Sequence, residues 1–337
     1  MLKIFLALFL QVQIASATVV KVGYSPVLSS AGIFIAMERG YFKEFGLEVQ
    51  GTPFRSSSAP MNALLAKGEL DVGGGNVTSG LWNANGENEQ IKLVADKGTV
   101  SKGHDYLALL VRSDLVTEGK FKTLKDLKGL KVAFTALNGT SQEIAMSRFL
   151  QKAGLSPKDV TYLKMPYSDM NAAFRTKALD ATIQLEPYIS QAVEEGIAVN
   201  FASVYSVYPD QPSAVLFYSG LFAKNRKEEA VKFMAAYLRG VRDYIDAFGR
   251  GSSKSRKDIV EILKKYCEPL PDSIWEKMAP VGLNPDGYLD TKNLDSDLEW
   301  FKKMKYVEKP LSVEGHVDHS FVEAALKMIG KYKKGKN

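Results

Sequence analysis

The sequence predicts an α/β protein made of two similarly built lobes, and three observations carry that prediction. A β-α-β-α-β order occupies residues 19–76. The same order returns further along at a fixed offset. A chain of 337 residues holds about two domains. Composition agrees: with 45% hydrophobic and 24% charged residues the chain can bury a sizeable core, and a disordered, collagen-like or low-complexity chain is excluded.

Met1-Leu2-Lys3 is a short basic start, Ile4 to Leu10 is unbroken apolar sequence, and Ala15-Ser16-Ala17 supplies the small residues a signal peptidase needs. Residues 1–17 therefore read as a secretory signal peptide. No cysteine follows to carry a lipid anchor, and no later window holds the roughly 18 apolar residues of a membrane span. The expectation is an exported, periplasmic chain with no membrane span in its mature form. Its one cysteine, Cys267, excludes an internal disulfide and any multi-cysteine metal site.

The body begins with a strand at Val19–Tyr24, broken by Ser25-Pro26. Ile33, Met37, Tyr41 and Phe45 recur every fourth residue and predict a helix stopped at Gly46. Leu47-Glu48-Val49 starts a second strand, Ser56–Ser58 offer caps for a helix over Met61–Leu65, and Leu70-Asp71-Val72 is a third strand ending in Gly73-Gly74-Gly75-Asn76. The second lobe repeats this with a strand at Lys131–Phe134, a helix opened by Asn138-Gly139-Thr140-Ser141, a stop at Gly154-Leu155 and a strand at Val160–Leu163. Asn171-Ala172 then stands to Asn62-Ala63 as Leu179-Asp180 stands to Leu70-Asp71. Generic βαβ units would look alike too, so true duplication stays open. Tyr106–Val111 and Ala214–Tyr218 read as the two crossings between lobes. That places lobe one at 18–107 and 216–337 and lobe two at 108–215. Amphipathic helices over Glu229–Phe248, Ile259–Tyr266, Leu294–Met304 and Phe321–Ile329 are expected to pack back on lobe one.

In open α/β sheets ligands bind beyond the carboxyl ends of strands, beside helix N-termini. The loops in question run over residues 25–31, 55–58, 73–79, 138–141, 167–171 and 186–188, and they are rich in Ser, Thr, Asn and Gly. The candidate ligand contacts are Ser25, Ser29, Ser30, Arg55, Ser57, Gly75, Asn76, Thr78, His104, Asn138, Thr140, Ser141, Tyr167, Glu186 and Tyr208. Hydroxyls and bare N–H groups at helix starts suit an anionic headgroup, although each Ser or Thr is equally an ordinary N-cap. Arg55 is either a partner for a carboxylate or sulfonate or a solvated loop residue. Glu186 either meets the ligand or pairs with Arg175 or Lys177.

Enzyme chemistry finds no support. Gly73-Gly74-Gly75-Asn76 lacks nucleotide-loop spacing, no serine sits in a GxSxG frame, and His316 and His319 lack a third ligand set. No catalytic residue, metal or cofactor is expected. The formal net charge of +6 is scattered, without the aromatic-interleaved basic patch of a nucleic-acid binder.

Val22-Gly23-Tyr24-Ser25-Pro26, and then Ala36-Met37-Glu38-Arg39-Gly40-Tyr41-Phe42-Lys43-Glu44-Phe45-Gly46-Leu47-Glu48-Val49, resemble the nitrate/sulfonate/taurine-type (NMT1-like) periplasmic substrate-binding proteins of ABC transporters. Ala63–Val72, Leu124–Val132 and Leu185-Glu186-Pro187-Tyr188 fit the same pattern, and the resemblance spans about residues 19–250. It implies a type II periplasmic-binding-protein (Venus flytrap) fold: two α/β lobes, two crossing strands and a ligand in the cleft. It also implies delivery of a small molecule by a monomeric protein to an inner-membrane permease. The alternatives are a periplasmic enzyme or a sensor-input protein on the same fold.

Overall fold

The computed structural model describes residues 17–55, 58–85, 90–249 and 253–333. The signal-peptide reading, apart from Ala17, and the candidate Ser57 lie outside the described residues. In chain order the strands are β1 (Thr18–Tyr24), β2 (Leu47–Pro53), β3 (Val72–Asn76), β4 (Ile91–Val100), β5 (Leu107–Arg112), β6 (Lys131–Phe134), β7 (Thr161–Lys164), β8 (Ala181–Leu185), β9 (Ala198–Ser203) and β10 (Gln211–Ser219). They form two five-stranded sheets of matching order, β2-β1-β3-β10-β4 and β7-β6-β8-β5-β9. In each, three parallel strands from successive βα units are joined by one antiparallel strand that the chain delivers from elsewhere.

The paired Leu-Asp motifs do the same work in both sheets. Asp71 accepts the N–H of Lys21 at 2.9 Å, and Asp180 accepts that of Lys131 at 2.9 Å, so each carboxylate fixes its strand against the neighbour. An arginine completes each site: Arg226 reaches Asp71 at 3.0 Å and Arg112 reaches Asp180 at 2.8 Å. In the second sheet this charge-assisted bond holds the end of β5 to the start of β8, and in the first it ties the end of helix Gly220–Asn225, which follows β10, to the start of β3.

Three local expectations change. The helix expected over residues 33–45 is two, Ala31–Glu38 and Tyr41–Glu44, because Gly40 takes φ 73° and breaks the turn. The third strand begins at Val72 and runs through the glycines, whose bare faces are covered by Leu65, Lys97 and Met61. The runs at 106–111 and 214–218 each sit inside one sheet as β5 and β10. The chain itself passes between sheets over residues 101–106 and 204–210, and β10 belongs wholly to the first sheet from Gln211 onward.

The core is largest around the first sheet. Helix Lys227–Gly249 crosses helix Ala31–Glu38 so closely that a Cβ on Gly240 would stand 2.2 Å from the Gly32 carbonyl oxygen. The first sheet also gathers helices Ser253–Tyr266, Thr291–Lys303 and Ser320–Ile329. Among the described residues, no helix is long and apolar enough to cross a membrane.

Candidate functional site

The carboxyl ends of β1, β2 and β3 face those of β6, β7 and β8 across a cavity of about 260 Å³, at the small end of what holds a small molecule. From the first sheet come Ser25, Pro26 and Val27 after β1, Phe54 and Arg55 after β2, and Asn76, Thr78, Ser79 and Gly80 at and beyond the end of β3. From the second come Thr135, Ala136, Leu137, Gly139 and Thr140 after β6, Pro166, Tyr167 and Ser168 after β7, and Tyr188 after β8. Ser58, Ala59 and Glu268 complete the lining.

Five helices start at this cavity: Ala59–Ala66, Ser79–Asn85, Ser141–Lys152, Tyr167–Arg175 and Tyr188–Glu194. Their first turns carry the positive end of the peptide dipole. Thr140 is the N-cap of helix Ser141–Lys152, its hydroxyl oxygen accepting the Glu143 N–H at 3.1 Å. Glu143 in turn accepts the Gly139 N–H at 2.8 Å and the Tyr306 hydroxyl at 2.9 Å. Burial pushes the Glu143 carboxyl up against the pull of these bonds. Arg55 and Glu268 are the charged side chains of the lining, and they pair with each other at 2.7 Å in a largely solvated contact.

The two sides touch at one rim of the cavity. Ser79 donates its N–H to the Gly139 carbonyl at 2.9 Å and its hydroxyl to the Asn138 carbonyl at 2.6 Å, and Thr78 bridges Thr140. Asn76 bonds the Tyr167 hydroxyl, whose own proton is held more tightly because the ring is buried.

Of the sequence candidates, the structure therefore brings together Ser25, Arg55, Asn76, Thr78, Thr140 and Tyr167. The other candidates among the described residues stand outside the lining. Ser30 donates to the Ser25 carbonyl at 2.6 Å behind the wall, and Ser29 accepts from Lys97. Gly75 is covered by Met61 and Ser58, and Asn138 offers its carbonyl to Ser79 at the rim. The Ser141 carbonyl accepts from the Gln211 amide at 2.9 Å. His104 bonds Ser101 in the first passage between sheets. Tyr208 donates to Asp297 at 2.6 Å in the second. Glu186 turns from the cavity to accept from the Ser190 N–H and hydroxyl and the Ala279 N–H, and its burial raises its pKa. Neither Arg175 nor Lys177 takes it: Arg175 pairs with Glu195 and Lys177 with Asp114. Phe54, Pro166 and Glu268 are lining residues that sequence reasoning missed. Phe54 and Pro166 adjoin flagged loops, but Glu268 follows a helix far from any strand end and left no signal.

Residues 14–264 match the NMT1-like family. The chain belongs to that family. Within it, a protein of Brucella abortus (strain 2308) named as a binding protein is 29% identical over 239 residues, 69% of each chain. The bicarbonate-binding protein CmpA of Synechococcus elongatus is 22% identical over 223 residues, 58% of this chain and 47% of that one. The fold is that of the alkanesulfonate-binding protein SsuA of Xanthomonas axonopodis pv. citri bound to MOPS, with a TM-score of 0.71 at 20% identity over 89% of this chain and 98% of that one. The architecture is thus the two-lobed type II fold of periplasmic binding proteins. At the level of its family the chain is a substrate-binding protein of ABC import, a family of binders rather than enzymes.

Proposed function

We propose that this protein captures a small organic molecule with an anionic head, a sulfonate or carboxylate, in the cavity between its sheets. In this reading it works in the periplasm as a monomer and hands its ligand to an inner-membrane ABC permease. The lobes expected at 18–107 with 216–337 and at 108–215 act as the two jaws in this reading, with the bounds moved to 106/107 and 210/211 so that β5 and β10 each stay within one sheet. The convergence of five helix starts on one cavity carries the reading, because the dipoles of their first turns favour negative charge without a charged side chain for each contact. The Arg55 guanidinium adds a planar donor at the mouth, and Phe54, Tyr167 and Tyr188 supply walls for an organic body. SsuA, by its name an alkanesulfonate binder, and CmpA, a bicarbonate binder, both take anions, which supports the charge of the ligand without fixing its identity.

The test is a thermal-shift screen of the purified mature protein against ethanesulfonate, benzoate, nitrate and uncharged analogues of the first two, followed by calorimetry. An anion should raise the melting temperature and be recovered unchanged. Conversion of the anion to a product, or stabilisation by the uncharged analogues alone, would sink the proposal.

A further inference from the structure

One ionisable side chain lies behind the cavity wall with no role in the lining. Lys97, on β4, is 0% exposed. Its Nζ donates to the Ser29 hydroxyl oxygen at 2.9 Å, and among the described residues no carboxylate lies within 4.0 Å of it. Since β10 lies between β4 and β3, the lysine stem crosses β10 to reach the glycine run. A Cβ on Gly74 would stand 2.7 Å from Lys97 Cε, so the bare glycine is the cradle for this stem. The amine ends beside the Leu28–Ser30 turn. Just before that turn, Ser25, Pro26 and Val27 line the cavity, and Ser25 is tied to Gly74 through its N–H and to Ser30 through its carbonyl.

An ammonium carries three donors, and this one meets a single neutral oxygen. In a dry interior that arrangement suits the uncharged amine. Burial accordingly draws the Lys97 pKa down to about 7, with the Asp96 carboxylate pulling the other way. Of the groups acting on it, Asp96 is negatively charged at pH 8, and its oxygens are taken by donors of their own. The Asp96 carboxylate is occupied by the N–H groups of Asn284 and Gly98 and the hydroxyl of Thr99, and its own pKa is pushed up to about 6 by burial. The Cys267 thiol is pushed up to about 12 by burial, and the Tyr106 phenol, bonded to Ser213, is raised further, so both stay neutral. From helix Ala31–Glu38 the facing residue is Ile33, which does not titrate.

We infer that Lys97 is a positioning residue of the cleft that takes up a proton when an anion settles against Ser25–Val27, so that ligand capture and proton uptake are one event. The inference rests on the anionic ligand proposed above. An anion raises the pKa of a nearby base. Affinity is then greatest below the empty protein's value and falls as pH rises past it, by up to about tenfold per pH unit until the value in the complex is reached.

The experiment is titration calorimetry of the mature protein at pH 8 with ethanesulfonate and with benzoate, in Tris and in triethanolamine, whose ionisation enthalpies differ. Wild type should take up a substantial fraction of a proton per anion bound and lose affinity from pH 7 to 9. K97M, which keeps the stem and deletes the charge, should take up none and show a flat profile. If K97M does not fold, K97Q replaces it, and if neither folds the wild-type measurement decides alone. Anion binding without proton uptake, or equal uptake in the variant, overturns the inference while leaving the anion reading intact. If neither probe binds, the anion reading fails and this inference falls with it.

Discussion

In the first sheet the third strand reads Val72-Gly73-Gly74-Gly75-Asn76, and in the second the strand at the same place reads Ala181-Thr182-Ile183-Gln184-Leu185. The glycines leave space that Leu65, Lys97 and Met61 fill from neighbouring elements. The second strand fills its own space and bonds outward: Thr182 donates to the Ala133 carbonyl at 2.8 Å and Gln184 to the Tyr167 carbonyl at 3.2 Å. The helix asparagines differ in the same sense. Asn171 donates to the Tyr188 carbonyl and to Gln191, whereas the amide of Asn62, equally buried, has no side-chain partner among the described residues. One topology is thus held by apolar packing on one side and by a polar mesh on the other, and identical strand order does not imply identical interior chemistry.

Six substitutions probe this contrast. The largest effect is expected at Gly240, where the first lobe alone depends on two helices in backbone contact. G240A drives a methyl into the Gly32 carbonyl and should cost about 3 kcal/mol or more in urea unfolding. A cost below about 1 kcal/mol would show that the helices separate easily. Next come the matched aspartates. D180A and D71A should each lose about 1–3 kcal/mol, with D180A the worse because its arginine is the more enclosed of the two. Equal losses would mean that the two sites are energetically interchangeable.

A smaller, pH-shaped difference is expected at Asp297, a carboxyl of the first lobe's added helices with no equivalent in the second sheet. Burial raises its pKa to about 7 even though Tyr208 and Arg148 oppose the shift. A carboxyl raised in the native state stabilises below its unfolded value and loses that contribution as pH climbs through its folded one. Wild type should therefore lose stability relative to D297N between about pH 4 and pH 7 and run parallel above. A constant gap across that range would count against the assignment. The smallest effect is at Thr140. T140A removes an N-cap worth about 1 kcal/mol and a hydroxyl facing the cavity, so it should weaken ethanesulfonate binding, whereas S141A, outside the lining, should not. Equal affinity in both variants by calorimetry would remove Thr140 from the site.

Much of this arrangement could be read in the residues. Hydrophobic runs located the strands beginning near 18, 47, 131 and 161, and the Leu-Asp offset anticipated the matched sheets, because local spacing governs both. β4 escaped notice since Asp96 and Lys97 interrupt its apolar run, and those side chains are tolerated through Gly98 and Thr99 of β4 together with partners from elsewhere: Asn284, Ser29 and the cradle at Gly74. Loop chemistry found Ser25, Asn76, Thr78 and Thr140 but also gathered Ser29, Gly75 and Glu186, because a small polar residue after a strand looks alike whether it faces a cavity or caps a helix. Tyr208 and His104 were drawn in by nearness to the passages between sheets, a nearness along the chain and not in space.

The position of β10 has a consequence for how the chain is made. Among the described residues it is the strand that joins β3 to β4 within the first sheet, and it is synthesised after all of β5–β9. The second sheet, by contrast, is one uninterrupted stretch whose ends meet where Ala108 pairs with Ser203. As the chain emerges N-terminus first, the later-encoded sheet can therefore close first. The earlier one stays split, with β4 lacking a neighbour in its own sheet, until residue 211 and beyond emerge to bridge the gap. An arrest after residue 205 would leave the second lobe finished and the first unmade, the reverse of the order in which they are written.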